Sequence, residues 1–409
     1  MRKDEYIYDW NEARRDAPPF SRNLALVDET LRDGIQSPSV RNPSIGEKLE
    51  LLHCMEALGI DVANVGLPGA GAAAVADVRR LCEEIRDARL AIRPSCAART
   101  HEGDVRAVVE LAQRTGVEIE CCAFIGSSPV RQLVERWEQG RMVRLVTDAM
   151  DLAVGAGLPA TFVTEDTIRS DPDLLRALWT AAIDHGARRI VLTDTVGHAT
   201  PDGLANLVAF AREVIAESGA PVALDWHGHN DRGLALSVAL WAFERGVDRV
   251  HGTCLGVGER VGNAPIDLLI LNLSLLGVLD RDLHALRHYV ERVSACYDVH
   301  VPHNYPAFGQ DAFRTATGVH AAAIAKAMQL GRTDLADRVY SSVPAHALGC
   351  QQHIEVGFYS GRANVVRWLE ERGLAVTEER VRRVLERAKR ARATLTEGEL
   401  LEALLEPGC

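Results

Sequence analysis

Residues 160–193 read ATFVTEDTIRSDPDLLRALWTAAIDHGARRIVLT. Two short apolar runs, Ala160–Thr164 and Arg189–Thr193, enclose LLRALWTAAIDHG, an amphipathic helical pattern closed by a glycine suited to a helix C-cap. Strand, helix and strand at this spacing form a parallel βα unit. The rhythm extends both ways, with strand-like runs at Leu24–Glu29, Asp61–Gly66, Leu90–Ser95 and Val117–Ala123 before it and at Val222–Trp226 and Arg249–Thr253 after it. Eight such units over about 250 residues match the size of a TIM barrel. The expected class is therefore α/β, a (β/α)8 barrel. A doubly wound open sheet would have fewer units and a glycine-rich turn after its first strand.

After Asn272 the rhythm gives way to helical and irregular sequence interrupted by VPHNYPAFGQDAF and YSSVPAHALGCQQH. The expected organisation is an N-terminal extension over 1–23, the barrel over 24–279, a helical linker or subdomain over 280–345 and a second small subdomain over 346–409.

The chain has 409 residues, 47% hydrophobic and 25% charged, enough for one large core and a smaller one. The N-terminal MRKDEYIYDWNEARRDAPPF lacks the apolar centre of a signal peptide, and no run approaches the roughly 18 apolar residues of a membrane span. A soluble cytoplasmic protein is expected. Nine cysteines occur without a CxxC pair, several inside apolar runs, as reduced core thiols would. A formal charge of −11 argues against a nucleic-acid-binding surface while leaving room for a local basic pocket. The arginine-rich run from Glu378 to Arg392 reads as the solvated face of a helix.

In a barrel, chemistry sits where strands end, so polar residues just after each apolar run carry the information. The first strand runs into DETLRDG, offering Asp28, Glu29, Arg32 and Asp33. The seventh ends in His227-Gly228-His229-Asn230-Asp231. His227 and His229 are two apart on an extended backbone, so both imidazoles can point to one side, and two imidazoles with a carboxylate suit a divalent metal. A bare HxH pair can equally be a hydrogen-bonded pair in a polar loop; its place beside acidic residues of the first strand favours metal. LGVGERVGN, after the eighth strand, has the wrong spacing and position for a dinucleotide fingerprint and reads as a tight turn presenting Glu259, Arg260 and Asn263.

LVDETLRDGIQSP, HGHNDRGLA, GVGERVGNAP and LTDTVGHATP together resemble the signature segments of the 2-isopropylmalate synthase and homocitrate synthase family, also called DRE-TIM metallolyases. The resemblance spans roughly Leu24 to Gly361. It implies Claisen condensation of acetyl-CoA with a 2-oxo acid on a divalent cation (Zn, Mn, Mg or Co). By matching position, Asp33, His227 and His229 would bind the metal, with Asn263 as a further ligand. Arg32 would stabilise the developing alkoxide, Thr195 would contact the substrate carboxylate, and Glu165 of VTED matches an active-site glutamate. His320 of ATGVHAAA matches the catalytic histidine of the family's SGIH element, and Tyr340 of RVYSSVP a nearby tyrosine. Both reach the partner subunit's site in the family, which implies a homodimer. His320 and Glu165 are both candidates for the base, and His320 has the more suitable unperturbed pKa.

Two positions depart from isopropylmalate synthases. Asn64 replaces their usual acidic residue on the second strand, and GSSPVRQ, which contains Ser128, places Arg131 where they carry histidine, as homocitrate synthases do. Both changes make the expected pocket more positive, so a 2-oxo acid with a second anionic group is favoured. GSSPVRQ and the tail IEVGFYSGRANVVRWLEERG look most like the branch of 2-phosphonomethylmalate and 2-phosphinomethylmalate synthases. The chain stops soon after that tail, so control by a C-terminal leucine-binding module is not expected. A retro-Claisen lyase of the hydroxymethylglutaryl-CoA type is the nearest enzymatic rival, although GVGERVGNAP lacks the cysteine of the lyase loop. A noncatalytic metal- and ligand-binding relative is the alternative from another class.

Overall fold

A computed structural model describes residues 6–11 and 24–405. The rest of the N-terminal extension expected over 1–23 lies outside the described residues. Eight parallel strands close into a barrel in sequence order: β1 (Ala25–Asp28), β2 (Val62–Asn64), β3 (Arg93–Arg99), β4 (Glu120–Gly126), β5 (Ala160–Glu165), β6 (Arg189–Asp194), β7 (Ala223–Gly228) and β8 (Arg249–Gly252). Closure is made by β1 against β8, where Val27 lies opposite His251. The (β/α)8 barrel read from the sequence is borne out. Helices follow the strands and bury apolar faces on them, as Leu174, Leu175, Leu178, Ala182 and Ile183 do in the helix Pro172–Asp184. That helix starts at an Asp171 cap and ends where Gly186 adopts a φ of +95°.

β3 and β4 each begin three residues later than the apolar runs suggest, at Arg93 rather than Leu90 and at Glu120 rather than Val117. Leu90 closes the preceding helix through its N–H to the Ile85 carbonyl, and the Ala91 and Ile92 N–H groups bond the Glu56 carboxylate. Glu120 enters the barrel despite its charge because Arg249 neutralises it there.

The chain divides into two compact units, one ending at Val299 and the other starting at His300. The first therefore runs past the barrel end expected at Leu279. The helix Leu283–Tyr297 belongs to it: Tyr289 and Tyr297 are fully buried, the Tyr289 hydroxyl donating to Asp28 and the Tyr297 hydroxyl to the Thr30 carbonyl. The second unit is mainly helical, with one small parallel pair, Arg314–Thr315 and His353–Ile354. One apolar cluster joins Ala321, Ile324, Ala327, Ala336 and Ile354, and another runs from Val356 to Ala403. The arginine-rich segment forms the helix Glu378–Arg390, with Val381, Val384 and Ala388 on its buried side. Among the described residues no helix is long and apolar enough to cross a membrane.

Asp28 links barrel and outer helix. Its two oxygens accept the Thr30 N–H and the Tyr289 hydroxyl, each at 2.8 Å. Burial outweighs these bonds and raises the carboxyl from 3.8 to about 6. The folded protein thus holds this proton more tightly than the unfolded chain does. The stability it contributes is present below the unfolded value and lost as pH rises through about 6. Asp28→Asn should therefore raise the melting temperature near neutral pH, by the equivalent of at most roughly 3 kcal/mol, with little change near pH 4. Thermal melts at both pH values check this; equal destabilisation at both would mean that the ionised carboxylate is needed for packing.

Candidate active site

The C-terminal ends of the strands surround a cavity of about 370 Å³. Its lining includes Glu29, Arg32, Asp33, Asn64, Glu165, Thr195, His227 and His229. Strand parity on β7 turns Asp225 and His227 into the barrel, and His229 follows on the same side. Beyond β8 the chain folds back so that Asn263 pairs with His229 in an isolated antiparallel bridge. That return requires glycine. A Cβ on Gly258, whose φ is +155°, would lie 2.2 Å from Asn263 Nδ2 and 2.5 Å from Asp33 Oδ1. The turn also carries Arg260, whose Nε donates to Asp231 Oδ1 at 2.9 Å and whose Nη2 donates to the Thr195 carbonyl.

One ligand atom from each of Asp33, His227 and His229 lies within 4.8 Å of the others. His229 Nδ1 is 3.1 Å from the Gly262 carbonyl, which can only accept, so that nitrogen carries the proton and Nε2 keeps its lone pair when the ring is neutral. His227 Nε2 faces it at 3.4 Å. Burial lowers the pKa of both rings, keeping them in the neutral form a metal requires. Burial would raise the Asp33 carboxyl, but the Arg32 guanidinium beside it holds the carboxyl below its usual range. Asn263 Nδ2 donates to Asp33 Oδ1 at 2.7 Å, while among the described residues its buried Oδ1 has no hydrogen-bond partner. Converging lone pairs, an ionised carboxylate and an orphaned amide oxygen fit a divalent cation.

Glu29, His227 and His251 form a second close group. This one is closed. His251 Nδ1 already bonds Glu29 Oε1 at 2.7 Å, and its Nε2 lies 3.2 Å from Asp225 Oδ2, leaving neither nitrogen for a metal.

The other sequence candidates divide. The Thr195 hydroxyl accepts the Asp166 N–H at 2.8 Å from its place in the lining. Glu165 also lines the cavity; burial and the nearby Asp166 and Glu135 raise its carboxyl, against the pull of Arg131. Ser128 and Arg131 are not among the lining residues. Arg131 stands behind Glu165, with Nε 3.4 Å from Glu165 Oε1 and Nη1 3.1 Å from Glu135 Oε1. The expectation that Asn64 leaves its wall more positive is corrected by Glu29, whose Oε2 accepts the Asn64 amide at 3.1 Å. An acidic group still stands at that wall, supplied from the end of β1 instead of from β2. His320 and Tyr340 lie in the second unit, where their rings stack with centroids 3.8 Å apart.

Sequence reading missed His251, Cys122 and Phe124, all lining the cavity. The alternation of β8, with Arg249 and His251 two apart beside Asp225 and His227 on β7, was the signal that could have found the histidine.

The HMGL-like family model matches residues 23–293. This chain belongs to the HMGL-like family. The membership read from its four motifs is thereby borne out, and the relatives of this HMGL-like protein extend beyond the barrel. A probable 2-isopropylmalate synthase of Methanopyrus kandleri is 30% identical over 90% of this chain and 69% of its own length. The homocitrate synthase AksA of the same organism is 32% identical over 90% of this chain and 87% of its own. The solved HMG-CoA lyase of Brucella melitensis, at 19% identity and a TM-score of 0.56, covers 67% of this chain and 99% of its own, and shares the fold. That of Pseudomonas aeruginosa does so at 21% identity, with the same TM-score over 68% of this chain and 94% of its own.

Proposed function

We propose that this HMGL-like protein is an acyltransferase that condenses acetyl-CoA with a 2-oxo acid bearing a second anionic group, of the phosphonopyruvate or dicarboxylic type. The observation that carries the reading is Arg32 beside an open ligand set at the strand ends. Asp33, His227, His229 and the Asn263 amide oxygen would hold a divalent cation, which supplies Lewis-acid polarisation of the keto group. Arg32 has five N–H groups. Three are spent, with Nε and Nη2 on Glu29 and Nη1 on Asp33. Among the described residues one N–H on each terminal nitrogen is uncommitted, able to meet the oxygen on which charge develops. The Thr195 hydroxyl, whose oxygen accepts the Asp166 N–H and which lies 3.3 Å from the Thr193 hydroxyl, would turn its proton from that long contact to a substrate carboxylate. Glu165 and His320 are the two groups suited to take the methyl proton. In this reading the protein works as a cytoplasmic homodimer, His320 and Tyr340 completing the site of the partner subunit.

Arg131 supports the second anion. Its Nε, ion-paired with Glu165 Oε1 at 3.4 Å but without a hydrogen bond among the described residues, would donate to a substrate anion reaching past Glu165. Ser128 Oγ, buried and likewise unpartnered, offers a neutral donor from the same β4–helix turn. A charged hydrogen bond of this kind contributes roughly 1.5–3 kcal/mol, about ten- to hundredfold in affinity.

Thiol release from acetyl-CoA, screened against 2-oxoisovalerate, 2-oxoglutarate, oxaloacetate, pyruvate and phosphonopyruvate, tests the reading. Phosphonopyruvate should be preferred, then a dicarboxylic 2-oxo acid. Arg131→Leu should lower kcat/KM for the preferred acid about ten- to hundredfold and affect pyruvate much less. Equal losses would make Arg131 structural. Preference for 2-oxoisovalerate would identify an isopropylmalate synthase, and cleavage without condensation a lyase.

A further inference from the structure

Barrel interiors are ordinarily filled by branched apolar side chains. Below the candidate site this one carries a continuous line of charge. Arg249 donates Nη1 and Nη2 to the two oxygens of Glu120, at 2.9 and 2.5 Å, and Nε to Asp225 Oδ2 at 2.9 Å. Asp225 also accepts Arg189 and stands 3.2 Å from His251 Nε2. His251 Nδ1 then meets Glu29 Oε1 at 2.7 Å, and Glu29 Oε2 accepts Arg32 Nε at 2.7 Å, Arg32 Nη2 and the Asn64 amide. Asp225, Arg249, His251 and Glu29 are all buried, Glu29 only 2% exposed.

Burial would raise the Glu29 carboxyl, but Arg32 and the bond to His251 outweigh it and hold the group ionised. Burial would lower the His251 pKa, yet its bonds to Asp225 and Glu29 raise it instead. Each charge in the line is opposed on both sides, and removing one would strand its neighbours unpaired in the interior. Glu29 is therefore a fixed post. Both its oxygens are engaged by protein donors, Oε2 by Arg32 and Asn64 and Oε1 by His251, so its charge is directed at Arg32 and His251.

Arg32 is what this post holds. A guanidinium on a flexible stem could turn wholly onto Asp33 and draw that carboxylate away from the imidazoles. Shared between Glu29 and Asp33, it is pinned in one orientation. We infer that Glu29, seated by His251, is a positioning residue that fixes the direction in which the two uncommitted N–H groups of Arg32 meet the substrate. The inference rests on the role given to Arg32 under the proposed function, and it assigns work to two residues outside the cation's ligand set.

The test uses the metal-loaded, full-length protein. Glu29→Gln keeps the shape and removes the charge; it should lower kcat/KM about a hundredfold, mostly in kcat, with metal content unchanged. In an Arg32→Ala background the same substitution should change kcat/KM by less than about twofold, because the group it acts through is gone. Calorimetric titration of phosphonopyruvate or 2-oxoglutarate without acetyl-CoA should show weaker binding to Glu29→Gln, again only when Arg32 is present. Should Glu29→Gln fail to fold, His251→Gln, which unseats the post from below, should show the same dependence on Arg32. Equal losses with and without Arg32, or unimpaired activity and binding in the folded variant, would overturn the inference. Absence of CoA release by the wild-type protein with every 2-oxo acid would count against the proposed reaction, while the calorimetric arm would still read the positioning.

Discussion

His229→Ala should leave a folded barrel that has lost its metal and nearly all turnover. The residue would supply one of few ligand atoms, and its Nδ1 is anchored to the Gly262 carbonyl so that Nε2 points where Asp33 and His227 converge. Alanine removes both the ligand and the link to the glycine-rich turn. Loss of several kcal/mol of charge stabilisation corresponds to a fall in kcat of roughly a thousandfold or more. The fold should survive because a large apolar core lies elsewhere in the barrel, with Leu26, Phe162, Leu192, Leu224 and Trp226 all essentially unexposed. Metal content by elemental analysis and kcat measured on the same folded preparation decide the matter. Near-normal turnover would show that the reaction runs without this cluster.

Mixing two inactive variants should restore activity. Asp33→Ala removes a ligand within the barrel; His320→Ala removes a base candidate from the second unit, where it stacks on Tyr340. If His320 completes the site of the partner subunit, random exchange of the two variants makes half of the dimers mixed, each with one intact site. Activity should then rise from background to about one quarter of the wild-type level. Size-exclusion chromatography and a tag-capture assay establish that dimers form and exchange. No recovery after proven exchange would place His320 within its own chain's site, where it would stay a candidate for the base, or outside the chemistry, which would leave Glu165 as the base.

The sequence was most informative where structure is local. A period of two on strands and about 3.6 on helices follows from backbone geometry, so eight βα units could be counted without knowing how they pack. The rule that barrel chemistry sits at strand ends then located Arg32, Asp33, His227 and His229, which the structure brings to one cavity. Boundaries were less legible where a charge enters the interior. Glu120 begins β4 because Arg249, 129 residues later, pairs with it, and no local pattern records such a partner.

Asn64 illustrates the same limit. Its neutral side chain suggested a more positive wall, but the residue beside it is Glu29, 35 positions earlier and two elements away along the chain. The helix Leu283–Tyr297 was read as lying beyond the barrel unit, and it joins that unit because Tyr289 and Tyr297 reach Asp28 and Thr30. The sequence by itself determined the barrel, its repeat and the strand ends that carry reactive groups, since spacing along one segment sets those. Tertiary structure alone decided which charges oppose one another: Glu29 with His251, Asp225 with Arg249, Arg131 with Glu165. Those pairs exist only once strands separated along the chain lie side by side, β1 on β8 for the first, β7 on β8 for the second and β4 on β5 for the third. Where burial strips water from the groups, the nearest opposite charge governs ionisation and orientation.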